Sequence, residues 1–278
     1  MYRTVRVAAL SIKPKKWDKP FNADKLEAYV REAAREGPEL IVAPEGFLEG
    51  YVVMDVVAHP EKAEMMHEIA EPRDGSYVRR FRRLARELGV NLCLGFAERV
   101  GREVYNCAAF IGHDGRICGT YHKTYFAEGT HPSWSFNRIG TKLRAFDTAL
   151  GRAGIVICAD RANPLISRAL VLDGAQFILI PSYGSRKKWQ NEAVLARGRE
   201  NGVPVVQANV GVNLIVSKGE VVAYKWGVDQ ITSAEIEVPM PPSRAGARQA
   251  ERTYLAEQGP EMARRYRRMM ARLAKAAN

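Results

Sequence analysis

At 278 residues, with 46% hydrophobic and 26% charged side chains and a net charge of +11, the chain has the length for one large α/β core and the composition of an ordinary globular protein. No apolar run approaches the ~20 residues needed to span a bilayer, which argues against a helical membrane protein. The four cysteines, Cys93, Cys107, Cys118 and Cys158, form no C-x-x-C pair and have no His at ligand spacing. Neither a zinc site nor a disulfide framework is therefore expected, and the cysteines other than Cys158 read as small core residues.

In chain order, strand-like runs fall at 5–10, 40–43, 90–96, 106–111, 116–121, 154–158, 177–181, 203–209, 213–217, 221–224 and 230–235. Helical periodicity appears at 23–36, 76–88, 163–173 and 189–201. Gly89, Gly174 and Gly202 follow helical stretches and suit left-handed caps, while Asp173-Gly174 and Lys218-Gly219 mark turns. Helices recurring in both halves suit two facing sheets with helices outside. The run 5–10, followed by Lys13, Lys15 and Lys16, is too short and wrongly flanked for a signal peptide, so a cytoplasmic location is expected.

No linker divides the chain before Pro239. The Pro-rich stretch that follows reads as an exit, giving a domain at 1–242 and a basic helical extension at 243–278. The extension carries nine Lys or Arg against three Glu, with a cluster at Arg264-Arg265-Tyr266-Arg267-Arg268. Such charge attracts acidic surfaces, but no nucleic-acid-binding motif accompanies it, so nucleic acid is not expected as a partner. Tyr254, Met262, Tyr266, Met269, Met270 and Leu273 are interleaved with the arginines at partly helical spacing, which favours packing on protein.

Three strand-like segments end in a reactive side chain: Leu40-Ile41-Val42-Ala43-Pro44-Glu45, Gly119-Thr120-Tyr121-His122-Lys123 and Ala153-Gly154-Ile155-Val156-Ile157-Cys158. A carboxylate, an ammonium and a thiol delivered this way could act as base, oxyanion stabiliser and nucleophile in acyl transfer. With these residues the chain resembles the nitrilase superfamily of carbon–nitrogen hydrolases, whose Glu-Lys-Cys triad would fall on Glu45, Lys123 and Cys158. The resemblance continues through Val5-Arg6-Val7-Ala8-Ala9-Leu10, Pro44-Glu45-Gly46-Phe47-Leu48-Glu49-Gly50-Tyr51, Tyr105-Asn106, Gly115-Arg116-Ile117, Asp160…Pro164…Arg168…Gly174-Ala175, Arg199-Glu200-Asn201 and Ala208-Asn209. Each block alone is a weak signal, and their common order makes the case.

The resemblance implies a four-layer α-β-β-α sandwich of the α/β class, catalysis without cofactor or metal, and a homodimer or higher homo-oligomer. It further implies that Glu45 is the base, Cys158 the nucleophile, and Lys123 with the Ala159 N–H the oxyanion site. Glu128 would be a second carboxylate that holds substrate and orients Lys123. Tyr51 and Trp134 are further candidates for substrate contact; for Trp134 and Phe136 core packing is an equal reading.

The chain also departs from the family pattern. Ser11 stands where Gln is usual, and the family's Cys-Tyr-Asp-x-Arg-Phe-Pro-Glu block reads Cys158-Ala159-Asp160-Arg161-Ala162-Asn163-Pro164-Leu165. Ala159 leaves room beside the sulfur, Asn163 is expected to make one pocket wall more polar, and Leu165 removes a carboxylate. The Cys-Trp-Glu run of true nitrilases is absent. The expected substrate is thus a small amide or N-carbamoyl (ureido) compound hydrolysed through a thioester, with a nitrile as the alternative. A non-catalytic binding protein on this fold, with a nucleic-acid-holding tail, is the alternative of another class.

Overall fold

Side chains along β1 (Tyr2–Ser11) alternate, with Val5, Val7 and Ala9 on one face and Ala8 and Leu10 on the other, and all five are buried. A strand buried on both faces needs a cover on each side, and this fold supplies a second sheet on one and helices on the other. The computed structural model describes residues 2–184, 187–241, 249, 252–253, 255–257 and 259–276.

The chain divides into two compact units, Met1–Met240 and Pro241–Asn278. In the first, the strands after β1 are β2 (Leu40–Val42), β3 (Asn91–Val100), β4 (Glu103–Ile111), β5 (Ile117–His122), β6 (Phe146–Thr148), β7 (Gly151–Ile155), β8 (Phe177–Ser182), β9 (Val205–Asn209), β10 (Gly211–Ser217), β11 (Glu220–Gly227) and β12 (Gln230–Pro239). They form two six-stranded sheets of order β12-β1-β2-β3-β4-β5 and β11-β10-β9-β8-β7-β6. Each is parallel at its centre, β1-β2-β3 in one and β7-β8-β9 in the other, with antiparallel strands at the margins.

The helices of this unit are α1 (Lys19–Ala34), α2 (Val53–Ala58), α3 (Ala63–Ile69), α4 (Ser76–Leu88), α5 (Pro164–Leu172) and α6 (Lys188–Asn201). Leu26 and Val30 of α1 and Val78, Phe81 and Leu84 of α4 pack on the outer face of the first sheet with Leu10, Ile41 and Leu92. Ile166 and Leu170 of α5 and Val194 of α6 do the same on the second sheet with Val156, Ile178 and Val216. Between the sheets, Val7, Val42, Cys93 and Phe110 meet Ile155, Phe177, Leu179 and Val206. Each such side chain contributes about 1.5–3 kcal/mol on burial. The layers are α-β-β-α, as the resemblance implied.

The differences from the sequence reading have local causes. Helix α1 begins a turn before residue 23 because the Asp18 side chain accepts from Phe21 N–H at 3.1 Å and Pro20 sits in the first turn, where its missing N–H costs nothing. Strand β6 and helices α2 and α3 are too short to show a period. Gly89 and Gly202 cap α4 and α6 at φ 67° and 66°. Lys218 and Gly219, at φ 51° and 75°, close the β10–β11 hairpin. Ser11 is buried, accepting from Gly211 N–H at 2.8 Å and donating to the Gly227 carbonyl at 2.6 Å. Cys93 and Cys107 are core residues, whereas Cys118, expected to resemble them, is partly exposed.

In the second unit, helix α7 (Gly259–Ala276) carries Arg264 and Arg265 paired with Glu261 at 2.8 and 3.0 Å. Of the apolar residues expected to pack on protein, Tyr266, Met269 and Met270 are exposed. Tyr254 and the side chains of Met262 and Leu273 lie outside the described residues, as does the boundary at residues 242–243. Among the described residues no helix is long and apolar enough to cross a membrane.

Candidate active site

Parallel strands gather the residues that follow them at one sheet edge, and that edge is where the three reactive side chains meet. Glu45 follows β2, and the backbone is held there by Ala43 N–H on the Cys93 carbonyl at 2.9 Å and Phe47 N–H on the Gly95 carbonyl at 3.0 Å. Gly95 makes this approach possible, since a Cβ on it would lie 3.0 Å from Glu45 Cα and closer still to the Pro44 carbonyl oxygen. Lys123 follows β5, with its N–H on the Asn106 carbonyl at 2.9 Å and its own carbonyl accepting from Gly140 at 2.8 Å. Cys158 follows β7 and opens a tight turn, Cys158–Ala162, at φ 48°. A non-glycine residue in that left-handed region bears about 1–3 kcal/mol of strain, of the kind found at functional turns.

Glu45 and Lys123 are wholly buried and paired at 2.7 Å through Glu45 Oε1, which also receives Asn106 Nδ2–H at 2.8 Å. Glu45 Oε2 is buried with no hydrogen-bond partner. Cys158 is 7% exposed. Burial and the Glu45 charge push its thiol up, more than Lys123, Arg161 and the Tyr183 N–H pull it down. Burial works against the Lys123 ammonium, but Glu45, Cys158 and Glu128 outweigh it and hold that group above its ordinary value. At rest the site is thus the Glu45–Lys123 ion pair in electrostatic reach of the Cys158 thiol.

The other candidates divide. Glu128 is in electrostatic reach of Lys123 and Tyr51; its Oε1 receives Asn137 Nδ2–H at 2.8 Å, and its Oε2 is buried without a partner. Tyr51 lies beside Glu45 and Cys158 and stacks on Tyr183 with ring centroids 4.3 Å apart. Trp134 joins Phe136, Val52 and Met66 in a small apolar cluster that Tyr51 also borders. Ala159 is the second residue of the turn, where a helical start leaves N–H groups without intrahelical acceptors. Asn163 serves the local backbone. Its Oδ1 caps α5 by accepting from Leu165 N–H at 3.0 Å, a structural role the sequence reading did not foresee.

Several supporting residues carry no mark of a site role in the sequence reading. Asp160 is fully buried and its carboxylate accepts from Ile157 N–H, Tyr121 O–H and Tyr125 N–H, each at 2.8 Å, with Thr124 N and Oγ1 at 3.3 and 3.2 Å. It ties the chain after Lys123 to the turn that carries Cys158. Arg161, 1% exposed, donates to Ser182 Oγ at 2.8 Å and sets a positive charge behind the sulfur. Asn106 and Asp160 stand in the blocks that carry the resemblance, and Tyr183 directly follows β8, so strand ends and block positions were the available signals.

The fold also brings together Glu98, Cys107 and His122, whose potential metal-ligand atoms lie within 4.8 Å of one another, a grouping no sequence spacing revealed. The Glu98 carboxylate is committed, however, to a two-armed Arg73 contact at 2.8 and 3.2 Å and to His122 Nε2–H at 2.6 Å. Burial opposes its ionisation, but these bonds and that of Cys107 hold it at about 2. The cluster reads as a brace for the strand end before Lys123.

Comparison with known proteins identifies the family and the fold. An N-carbamoylputrescine amidase of Arabidopsis thaliana is 30% identical over 222 residues, covering 76% of this chain and 71% of that protein. A bifunctional nitrilase/nitrile hydratase of Lupinus angustifolius is 29% identical over 215 residues, 74% of this chain; the match spans 61% of the lupin protein's length. Among solved structures, Saccharomyces cerevisiae Nit3, of branch 10 of the nitrilase superfamily, superposes with a TM-score of 0.72 at 21% identity, over 84% of this chain and 90% of that one. An amidase from Nesterenkonia sp. gives 0.69 at 20% identity, over 94% and 96%. The carbon–nitrogen hydrolase profile matches residues 6–236, nearly the whole of the first unit, and the chain belongs to that family.

Proposed function

We propose that the protein hydrolyses the carbon–nitrogen bond of a small amide or N-carbamoyl compound through a thioester on Cys158. The observation that supports this best is the unpartnered Oε2 of Glu45, buried beside a thiol that keeps its proton at rest. A carboxylate oxygen denied every hydrogen bond is a ready proton acceptor. As Glu45 takes the thiol proton, Sγ attacks the carbonyl carbon, and the oxyanion is met by Lys123 and the Ala159 N–H. One such donor is worth roughly 3–4 kcal/mol in the transition state. Glu45 then returns the proton to the leaving nitrogen, the C–N bond breaks, and ammonia or an amine departs. Water, deprotonated by the same carboxylate, cleaves the thioester to the acid and restores the thiol. Glu128, whose Oε2 is buried without a partner, would accept an N–H of the substrate.

Nitrile hydrolysis is the competing chemistry, and relatives named for both activities occur. The small Ala159 and the absence of a Cys-Trp-Glu run support the amide reading. Peptide mass spectrometry of Cys158 during turnover of a panel of amides, carbamoyl compounds and nitriles tests it. An acyl adduct from an amide or carbamoyl compound, absent in Cys158→Ala, is expected; adducts from nitriles alone would overturn the reading. A homo-oligomer in the cytoplasm, with the basic C-terminal extension packed on a partner subunit, is part of the same proposal. Loss of assembly on truncation before Ser243, seen by light scattering, is its test.

A further inference from the structure

A second site of different chemistry lies at the other end of β5 from Lys123. The exposed side of α4 carries Arg79, Arg82, Arg83 and Arg86, at the i, i+3, i+4, i+7 spacing that puts residues on one helix face. With Arg116 they line a cavity of about 280 Å³ whose single carboxylate is Asp114. The turn between β4 and β5 closes one wall. Gly115, at φ 80°, lies so near α4 that a Cβ would come within 2.5 Å of the Arg82 carbonyl oxygen, and its own carbonyl receives Arg82 Nε–H at 2.9 Å.

Among the described residues no carboxylate forms an ion pair with Arg79, Arg82, Arg83 or Arg86. Three carboxylates near α4 are taken elsewhere: Asp24 and Glu27 by Arg80, each at 2.7 Å, and Glu87 by Arg31 at 2.7 Å. Among the described residues, Arg79 donates to the Asp74 backbone carbonyl alone, and Arg82 to that of Gly115 alone. Arg83 and Arg86 have no hydrogen-bond or ion-pair partner among the described residues. Asp114 is paired with Arg116 at 2.7 Å. Guanidinium groups held close together without counter-charge repel one another, and a multiply charged anion relieves that repulsion.

We infer that this groove binds a phosphoanhydride chain, supplied either as inorganic polyphosphate or as the triphosphate of a nucleotide. The stripe spreads its charge over about 10 Å of helix axis, too long for one carboxylate or one phosphate and suited to linked phosphates. The groove has no aromatic side chain on which a base could stack, which disfavours single-stranded nucleic acid and predicts little discrimination between the two sources. This site is independent of the proposed hydrolysis.

Titration calorimetry on the full-length protein tests the inference, with tripolyphosphate, ATP, orthophosphate and a single-stranded RNA as probes. Tripolyphosphate and ATP should bind alike, more tightly than orthophosphate, and more weakly as salt rises. Arg83→Gln combined with Arg86→Gln should weaken both by about tenfold per guanidinium, without changing the melting temperature or Cys158 alkylation. A marked preference for ATP would make nucleotides the source. Absence of tripolyphosphate binding, or binding unaltered by the double substitution, would overturn the inference. RNA binding tighter than tripolyphosphate and lost with the same arginines would overturn it in favour of nucleic acid.

Discussion

Asp160→Asn is a sharp test of how the candidate site is held together. The carboxylate has two acceptor oxygens: Oδ2 receives Ile157 N–H and Tyr121 O–H, and Oδ1 receives Tyr125 N–H and the weaker Thr124 contacts. An amide keeps one acceptor and turns an N–H₂ toward the other donors. If its oxygen stays with Tyr125, the buried Ile157 N–H is orphaned, at a cost of about 1–3 kcal/mol, and the surviving bonds lose their charge assistance. A total near 2–4 kcal/mol follows, lowering the melting temperature by about 5–10 °C for a domain of this size. The larger effect concerns geometry, because Asp160 joins the segment after Lys123 to the Cys158 turn. A 1 Å shift between those groups would cost about a hundredfold in rate. Both readouts are independent of the natural substrate: calorimetric melting, and the rate of Cys158 alkylation by acrylamide followed by intact mass. An Asp160→Asn protein that melts and alkylates like the parent would refute the positioning argument.

Glu45→Gln should slow turnover by roughly 10²–10⁴-fold through loss of the base. Lys123→Met leaves the Glu45 charge buried and unpaired, a loss of about 3–5 kcal/mol in stability, and adding Glu45→Gln to it should restore much of that loss in denaturant titrations. Gly95→Ala forces the Pro44–Glu45 backbone away from β3; slower Cys158 alkylation with a retained circular dichroism spectrum is expected, and an unchanged rate would sink the close-approach argument. Glu49 is buried beneath the site, and burial, aided by Glu45 and opposed by the Ala97 N–H, raises it from 4.5 to about 7. Because the folded value is the higher one, its contribution to stability is complete below 4.5 and is lost as the pH rises through about 7. Urea titrations should show that decline, and Glu49→Gln should remove it.

Much of this molecule is legible in the chain because its signals are local. Strands with buried Val, Ile and Leu, a Gly after α4 and α6, and a reactive residue after β2, β5 and β7 all leave marks within a few positions of one another. The parts that the chain does not announce depend on distance in sequence. The Asn163 cap is one such part, since nothing in its neighbours announces that its side chain accepts from the N–H two residues ahead. Tyr51 and Tyr183 stack across more than half the first unit, and no period announces such a pair. Arg161 would be placed outside by any hydropathy rule, yet it is buried with Ser182 Oγ as its partner. The arginine groove is hidden for a related reason: its stripe on α4 is regular, but only the fold shows that Asp24, Glu27 and Glu87 are already taken.

The electrostatics of the site also divide the proposed labour between its two charged residues. Lys123 is held above its ordinary value by the charges around it, which favours an ammonium in the resting site and leaves the proton-carrying role in the proposal to Glu45. Burial and the Glu45 charge push the Cys158 thiol up, away from reactive thiolates, so in the proposed reaction it needs a base to take its proton. That proton must go to a group with a free lone pair, and among the triad only Glu45 Oε2 offers one. The same oxygen then holds the proton where a leaving nitrogen needs it. An amide nitrogen departs poorly as an anion, so a site that keeps its proton in store until attack suits carbon–nitrogen cleavage better than one that starts from a bare thiolate.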